Sequence, residues 1–155
     1  MTMAFKVVRL LGGLGLAGML AVSSGQVLGA ERQDPQDAQD AARAQAKERL
    51  VSTRACVECD LAGVSFWKGA DLRGVDLARA SMAGAGLYGA DLSNANLAGA
   101  DLSKAVMSFA DLKNTNLAGA NLEGAVLSGA KDASLATAKT NDTTVCPDGQ
   151  AGPCR

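Results

Sequence analysis

The sequence predicts a solenoid, a chain wound in stacked coils around a narrow interior. Two observations in the middle of the chain predict it. A bulky apolar residue recurs at every fifth position: Leu72, Leu77, Met82, Leu87, Leu92, Leu97, Leu102, Met107, Leu112, Leu117, Leu122, Leu127. Two residues before each stands a smaller one, mostly Ala from Ala70 to Ala125, with Val75 and Thr115 in the series. A period of five belongs neither to a helix nor to an ordinary strand, so it marks a structural repeat. Composition is the third observation. Aromatics make up 3% of the 155 residues and glycine occurs 18 times, which suits an interior filled by small side chains. The length allows one domain.

Residues 1–30 read as an export signal. Lys6 and Arg9 form a basic start, Leu10 to Val22 is an uncharged apolar run, and Leu28-Gly29-Ala30 ends in a small residue suited to a signal peptidase. The run is shorter than the roughly 20 residues a bilayer span needs and matches the apolar region of a secretory signal. An uncleaved anchor is the other reading. Cleavage places the protein in a bacterial periplasm or outside the cell, with no stable membrane insertion afterwards.

Residues 31–55 form a polar helical segment. Asp34-Pro35 has the form of a helix start, Asp34 as N-cap and Pro35 in the first turn. Gln36 to Val51 is rich in Ala, Gln, Arg, Lys and Glu, all good helix formers. Its apolar face is mostly alanine until Leu50 and Val51. A solenoid leaves unpaired backbone groups at its ends. Lys47 to Thr53 is therefore expected to cap the first coil. A partner-binding helix is the alternative.

The repeat domain spans residues 56–131. Its unit is a small residue, then Asp or Asn, then Leu, then two variable positions often ending in Gly. Examples are Ala70-Asp71-Leu72-Arg73-Gly74, Ala90-Asp91-Leu92-Ser93-Asn94, Ala100-Asp101-Leu102-Ser103-Lys104 and Ala120-Asn121-Leu122-Glu123-Gly124. This resembles the pentapeptide-repeat family over Cys59 to about Lys131. The resemblance implies an all-β solenoid, a right-handed quadrilateral β-helix with one unit per side, here with a short N-terminal capping helix. It also implies that the Leu and the small residue point inward. Between Phe66 and Leu72 lies one residue more than the period allows, which predicts a bulge at Trp67-Lys68-Gly69.

Residues 20 apart should then stack, which sorts the chain into four faces. The face centred on Leu72, Leu92 and Leu112 carries Asp71, Asp91 and Asp111. Such a column could hold a cation, although in this family the position more often bonds within its own turn. The faces centred on Leu77 and Met82 are polar or bland. The fourth, centred on Leu87, Met107 and Leu127, differs. Gly86, Val106 and Val126 replace its Asp or Asn, and Tyr88, Phe109 and, if the bulge stays on this side, Trp67 point outward. An exposed apolar patch commonly marks an interaction site. Trp67, Tyr88, Val106, Phe109 and Val126 are the candidate interaction face, unless a terminal segment folds over it.

Residues 132–155 are a C-terminal cap and loop. Leu135 is a candidate top cap. Cys146-Pro147-Asp148-Gly149 signals a turn, and Gly152-Pro153-Cys154 returns a second cysteine. In an exported protein, Cys146–Cys154 and Cys56–Cys59 read as local disulfides. Zinc would need both pairs together, at opposite ends of a rod. A redox CxxC at Cys56 and Cys59 lacks its usual βαβ context.

The chain has no histidine, so no nucleophile–base set is visible, and no catalytic residue, metal site or cofactor is expected. Removing the signal leaves 13 basic against 16 acidic residues, too near balance for a nucleic-acid footprint. The expected role is that of an exported, non-catalytic binding or scaffold module, with an unknown protein partner or a second copy on the fourth face. Two alternatives remain. Some family members mimic DNA and bind gyrase, which would require a cytoplasmic location. The other is thiol–disulfide redox chemistry.

Overall fold

A computed structural model of the chain describes residues 35–66 and 68–154. The export segment, Asp34 and Trp67 lie outside the described residues.

The helix α1 runs Pro35–Thr53. Only Leu50 of α1 is fully buried, as its alanine-rich face allows. The helix ends at Arg54, which has φ 59° and donates its amide to the Leu50 carbonyl at 2.9 Å. This is a left-handed C-terminal cap, usually made by glycine.

Parallel bridges then build four sides. Asp71, Asp76, Ser81 and Gly86 pair with Asp91, Asn96, Asp101 and Val106, and the next coil repeats the set. Each partner is 20 residues on. The first coil is one residue longer, since Ala55, Asp60 and Ser65 pair 21 residues on with Asp76, Ser81 and Gly86. The added residue therefore lies between Ser65 and Asp71, where the sequence places the bulge. The sides are isolated bridges, so extended strands, expected of an all-β chain, do not form among the described residues. The unit itself explains this: a turn occupies two of every five residues.

Each turn closes with the amide of the next small residue on the Leu carbonyl, as from Ala95 to Leu92 at 3.0 Å. The residue before it is left-handed: Gly74, Gly99 and Gly124, but also Asn94, Lys104 and Phe109. The residue preceding that one is not, so the turns are of type II. This is why the unit so often ends in Gly. Inside, Leu77, Met82, Leu87, Leu92, Leu97, Leu102 and Met107 have no exposed surface. Thr115, in a small-residue position, gives its hydroxyl to the Leu92 carbonyl at 2.8 Å, which removes the cost of burying it.

The five-residue pattern ends at Lys131, but the winding does not. Asn121 pairs with Lys139 and Val126 with Val145, at spacings of 18 and 19. The residues around Asn141 and Thr144 thus belong to a last, irregular coil. Cys146 follows Val145 in the inward Leu position. The tail turns back there, with an antiparallel bridge from Val145 to Ala151.

At the lower end the cap is largely polar. Arg54 Nη1 and Nη2 donate to the carbonyls of Asp71 at 3.2 Å and Arg73 at 2.7 Å. One coil higher, the equivalent carbonyls of Asp91 and Ser93 take the amides of Leu72 and Gly74. The guanidinium thus replaces two backbone donors of a coil that is not there. Lys47 Nζ does the same for Ser65, at 2.6 Å, and lies over the Phe66 ring. Arg43 Nε reaches the Asp60 carboxylate at 3.2 Å. Arg43, Lys47 and Leu50 follow helical spacing, so this part of the fastening face could have been read from the sequence.

Candidate functional site

Three faces of the solenoid spend their polar groups internally. Asp60, Asp71, Asp76, Asp91, Asn96, Asp101, Asp111, Asn116 and Asn121 each accept the amide two residues on. This Asx turn is the physical reason for Asp or Asn before the Leu. Side-chain amides also run up the rod, from Asn116 to Asn96 at 3.1 Å and from Asn96 to Asp76 at 3.0 Å. The Asp column is no open cation site. Arg73 grips Asp71 through Nε at 3.0 Å and Nη2 at 2.9 Å, and Arg54 approaches it at 3.5 Å. The Arg73 side chain and amide together hold the Asp71 carboxyl well below the usual range. The Ala62 amide, with Gln39 and Arg43, lowers that of Asp60. Among the described residues no three metal-ligating side chains cluster.

The fourth face is built otherwise. Ser65, Gly86, Val106, Val126 and Val145 form its ladder. Val106 and Phe109 are 41% and 56% exposed, Tyr88 is 40% exposed and Val126 is half-buried. The Tyr88 and Phe109 rings meet edge to face with centroids 5.6 Å apart. The structure thus brings together four of the five expected residues, Trp67 being outside the described ones. It adds Lys68, whose Nζ lies 5.4 Å from the Tyr88 ring centroid. The sequence places Lys68 in the bulge without saying where its side chain turns.

Phe109 occupies a position that ordinarily belongs to glycine. Its φ is 60°, a strained conformation for a bulky residue. Glycines stand at the same corner in the neighbouring coils, Gly89 below and Gly129 above, both left-handed. A Cβ at Gly129 would lie 2.7 Å from two Phe109 ring carbons, so Gly129 makes room for the ring.

The cysteines pair as Cys56–Cys59 and Cys146–Cys154. Cys56 has no exposed surface and takes an inward Leu position. Its pair follows the C-terminal end of α1. The negative end of the helix dipole disfavours a thiolate there, whereas a redox CxxC uses the positive end. Among the described residues no helix is long and apolar enough to cross a membrane.

Comparison with known proteins agrees with the repeat. The family model for pentapeptide repeats matches residues 56–97 and 90–129, in eight copies. No curated protein matches the chain. Among solved structures, a pentapeptide repeat protein of the cyanobacterium Cyanothece 51142 is 28% identical, with a TM-score of 0.47 over 66% of this chain and 98% of that one. A pentapeptide repeat protein of the Arabidopsis thaliana thylakoid lumen is 32% identical, with a TM-score of 0.48 over 61% of this chain and 63% of that one. One involved in heterocyst differentiation regulation, from Nostoc, is 34% identical, with a TM-score of 0.31 over 63% of this chain and 42% of that one. With its inward Leu and small-residue columns, its Asx turns and the family match over residues 56–129, the chain is a pentapeptide-repeat protein.

Proposed function

We infer that the protein is an exported, non-catalytic binding or scaffold module that engages another protein through its fourth face. One observation carries this reading. An exposed aromatic pair stands on the single face that has lost the Asp and Asn ladder, and one member of the pair holds a left-handed backbone. A glycine would fill that corner without strain, and strained residues cluster where function requires them. The interior is filled by Leu, Met and Ala, which leaves the surface to act. We take the winding as right-handed, the hand of the family. Export is supported by the signal-like residues 1–30 and by two disulfides, which persist in oxidising compartments. The mature protein would be periplasmic or secreted.

The test is photo-crosslinking in cells from a benzoylphenylalanine at position 88. Capture of another protein supports the reading, and capture of a second copy makes the partner a homodimer. Crosslinks confined to the chain's own terminal segments refute it.

A further inference from the structure

The geometry points to the chemistry of the partner: an α-helix with a stripe of carboxylates, held by backbone amides that the fourth face leaves open. The inference rests on the reading of this face as a binding surface.

On the other faces the amide two residues after each Asp or Asn donates to that side chain, as Ser93 does to Asp91 at 3.0 Å and Ser103 to Asp101 at 3.1 Å. That amide therefore looks outward, toward the place where the acceptor stands. Gly86, Val106 and Val126 offer no acceptor. The amides of Tyr88, Ser108 and Ser128 accordingly have none among the described residues. Between residues 71 and 130 one other amide of this kind, that of Ala83 behind Ser81, is left the same way, and it stands alone. The three on the fourth face are in register, one per coil. At about 4.8 Å between coils they form a column of donors roughly 10 Å long.

The surroundings define what would dock there. Val106, Val126 and Phe109 give an apolar backing, and Lys68 adds a positive charge beside Tyr88. Donors and a cation call for acceptors carrying negative charge. The carboxylate at the upper end of this face, Asp148, follows the Pro147 carbonyl that takes the Gly129 amide and already accepts the Gln150 amide. Spacing selects the form. Side chains on one side of an α-helix repeat about every 5.4 Å, so three span about 11 Å. Same-side residues of a strand repeat about every 6.7 Å, so three span about 13 Å. The helix fits the column better. The repeat faces of a second copy fit worse, because their Asp and Asn side chains already accept from their own turns.

The test uses the oxidised mature chain and a synthetic 20-residue Ala/Leu helix with Glu at positions i, i+4 and i+7. On titration, the amide resonances of Tyr88, Ser108 and Ser128 should shift together. The same helix with Lys in place of Glu should not bind. The double variant Val106→Asn/Val126→Asn restores a neutral acceptor in cis, as Asn96 and Asn116 provide elsewhere. It should fold as the parent does and bind the helix about tenfold more weakly or worse. No binding at millimolar helix, or binding unchanged in the double variant, overturns the inference. If a crosslink from position 88 still captures another protein in that case, the partner chemistry is wrong and the face reading stands. Crosslinks to the chain's own termini alone remove both.

Discussion

Replacing Arg54 tests how the solenoid is closed at its lower end. Its guanidinium makes two charged hydrogen bonds to backbone carbonyls, at 3.2 and 2.7 Å, and one ion pair at 3.5 Å. Bonds from charged donors are worth about 1.5–3 kcal/mol when buried. The side chain is 46% exposed, so water can replace part of each bond and the lower end of that range applies. Arg54→Ala should therefore cost about 2 kcal/mol, a melting shift of about 5–10 °C for a unit of this size. Arg54→Gly loses the same bonds but relieves the left-handed backbone, worth about 1 kcal/mol, and should fall about halfway between. Arg73→Ala removes an exposed ion pair and should shift the melting temperature less than Arg54→Ala does, an effect that vanishes in about 1 M salt. The assay is thermal and urea unfolding of the oxidised mature chain at low and high salt. If Arg54→Ala melts with the parent, or loses its effect in salt as Arg73→Ala does, the guanidinium is a surface charge and the capping argument is wrong.

Four further outcomes are expected. Ala100→Leu should destabilise by about 1–3 kcal/mol or more, because Ala100 is 1% exposed and faces filled columns; an unchanged melting temperature would break the inward register. Phe109→Gly should stay within about 1 kcal/mol of the parent by urea unfolding, since lost contact of a half-exposed ring is offset by relief of its backbone. Both Asp71 and Asp60 carry depressed carboxyls, so their contribution to stability is present above the ordinary value of 3.8 and is lost as pH falls below it. An acid titration of melting temperature should show that loss, reduced in Asp71→Asn. Opening Cys146–Cys154 by Cys→Ser replacement should cost about 2–3 kcal/mol by the loop-entropy argument, measured by urea unfolding.

The repeat was legible because each of its parts has a local cause. Leu fills the interior, Ala leaves it room, Asp closes a turn and Gly takes a left-handed corner. Even the longer first coil could be counted from Phe66 to Leu72. What the period could not convey lies where it stops. Arg54 does not stand in the five-residue pattern, and its task depends on carbonyls 17 and 19 residues away. The last coil escaped for a similar reason. Lys139 and Val145 have neither the spacing nor the neighbours of a unit, yet the ladder of the coil below still sets their place. The fourth face was visible as a loss of Asp and Asn. That its amides are thereby left open follows only once the Asx turns on the other faces are seen.

The closed ends have a consequence for assembly. A stack of parallel coils is in principle endless, since each coil presents the same backbone pattern that it received. Here the lower coil meets a guanidinium and an ammonium where a further chain would dock its amides. Above, the tail's Gly152 amide donates to the Thr144 carbonyl, and the Asn141 side-chain oxygen accepts the Gly124 amide. Neither substitute repeats, so neither hands the pattern on. At both ends of the described coils, chemistry outside the repeat thus works against end-to-end concatenation of the coils.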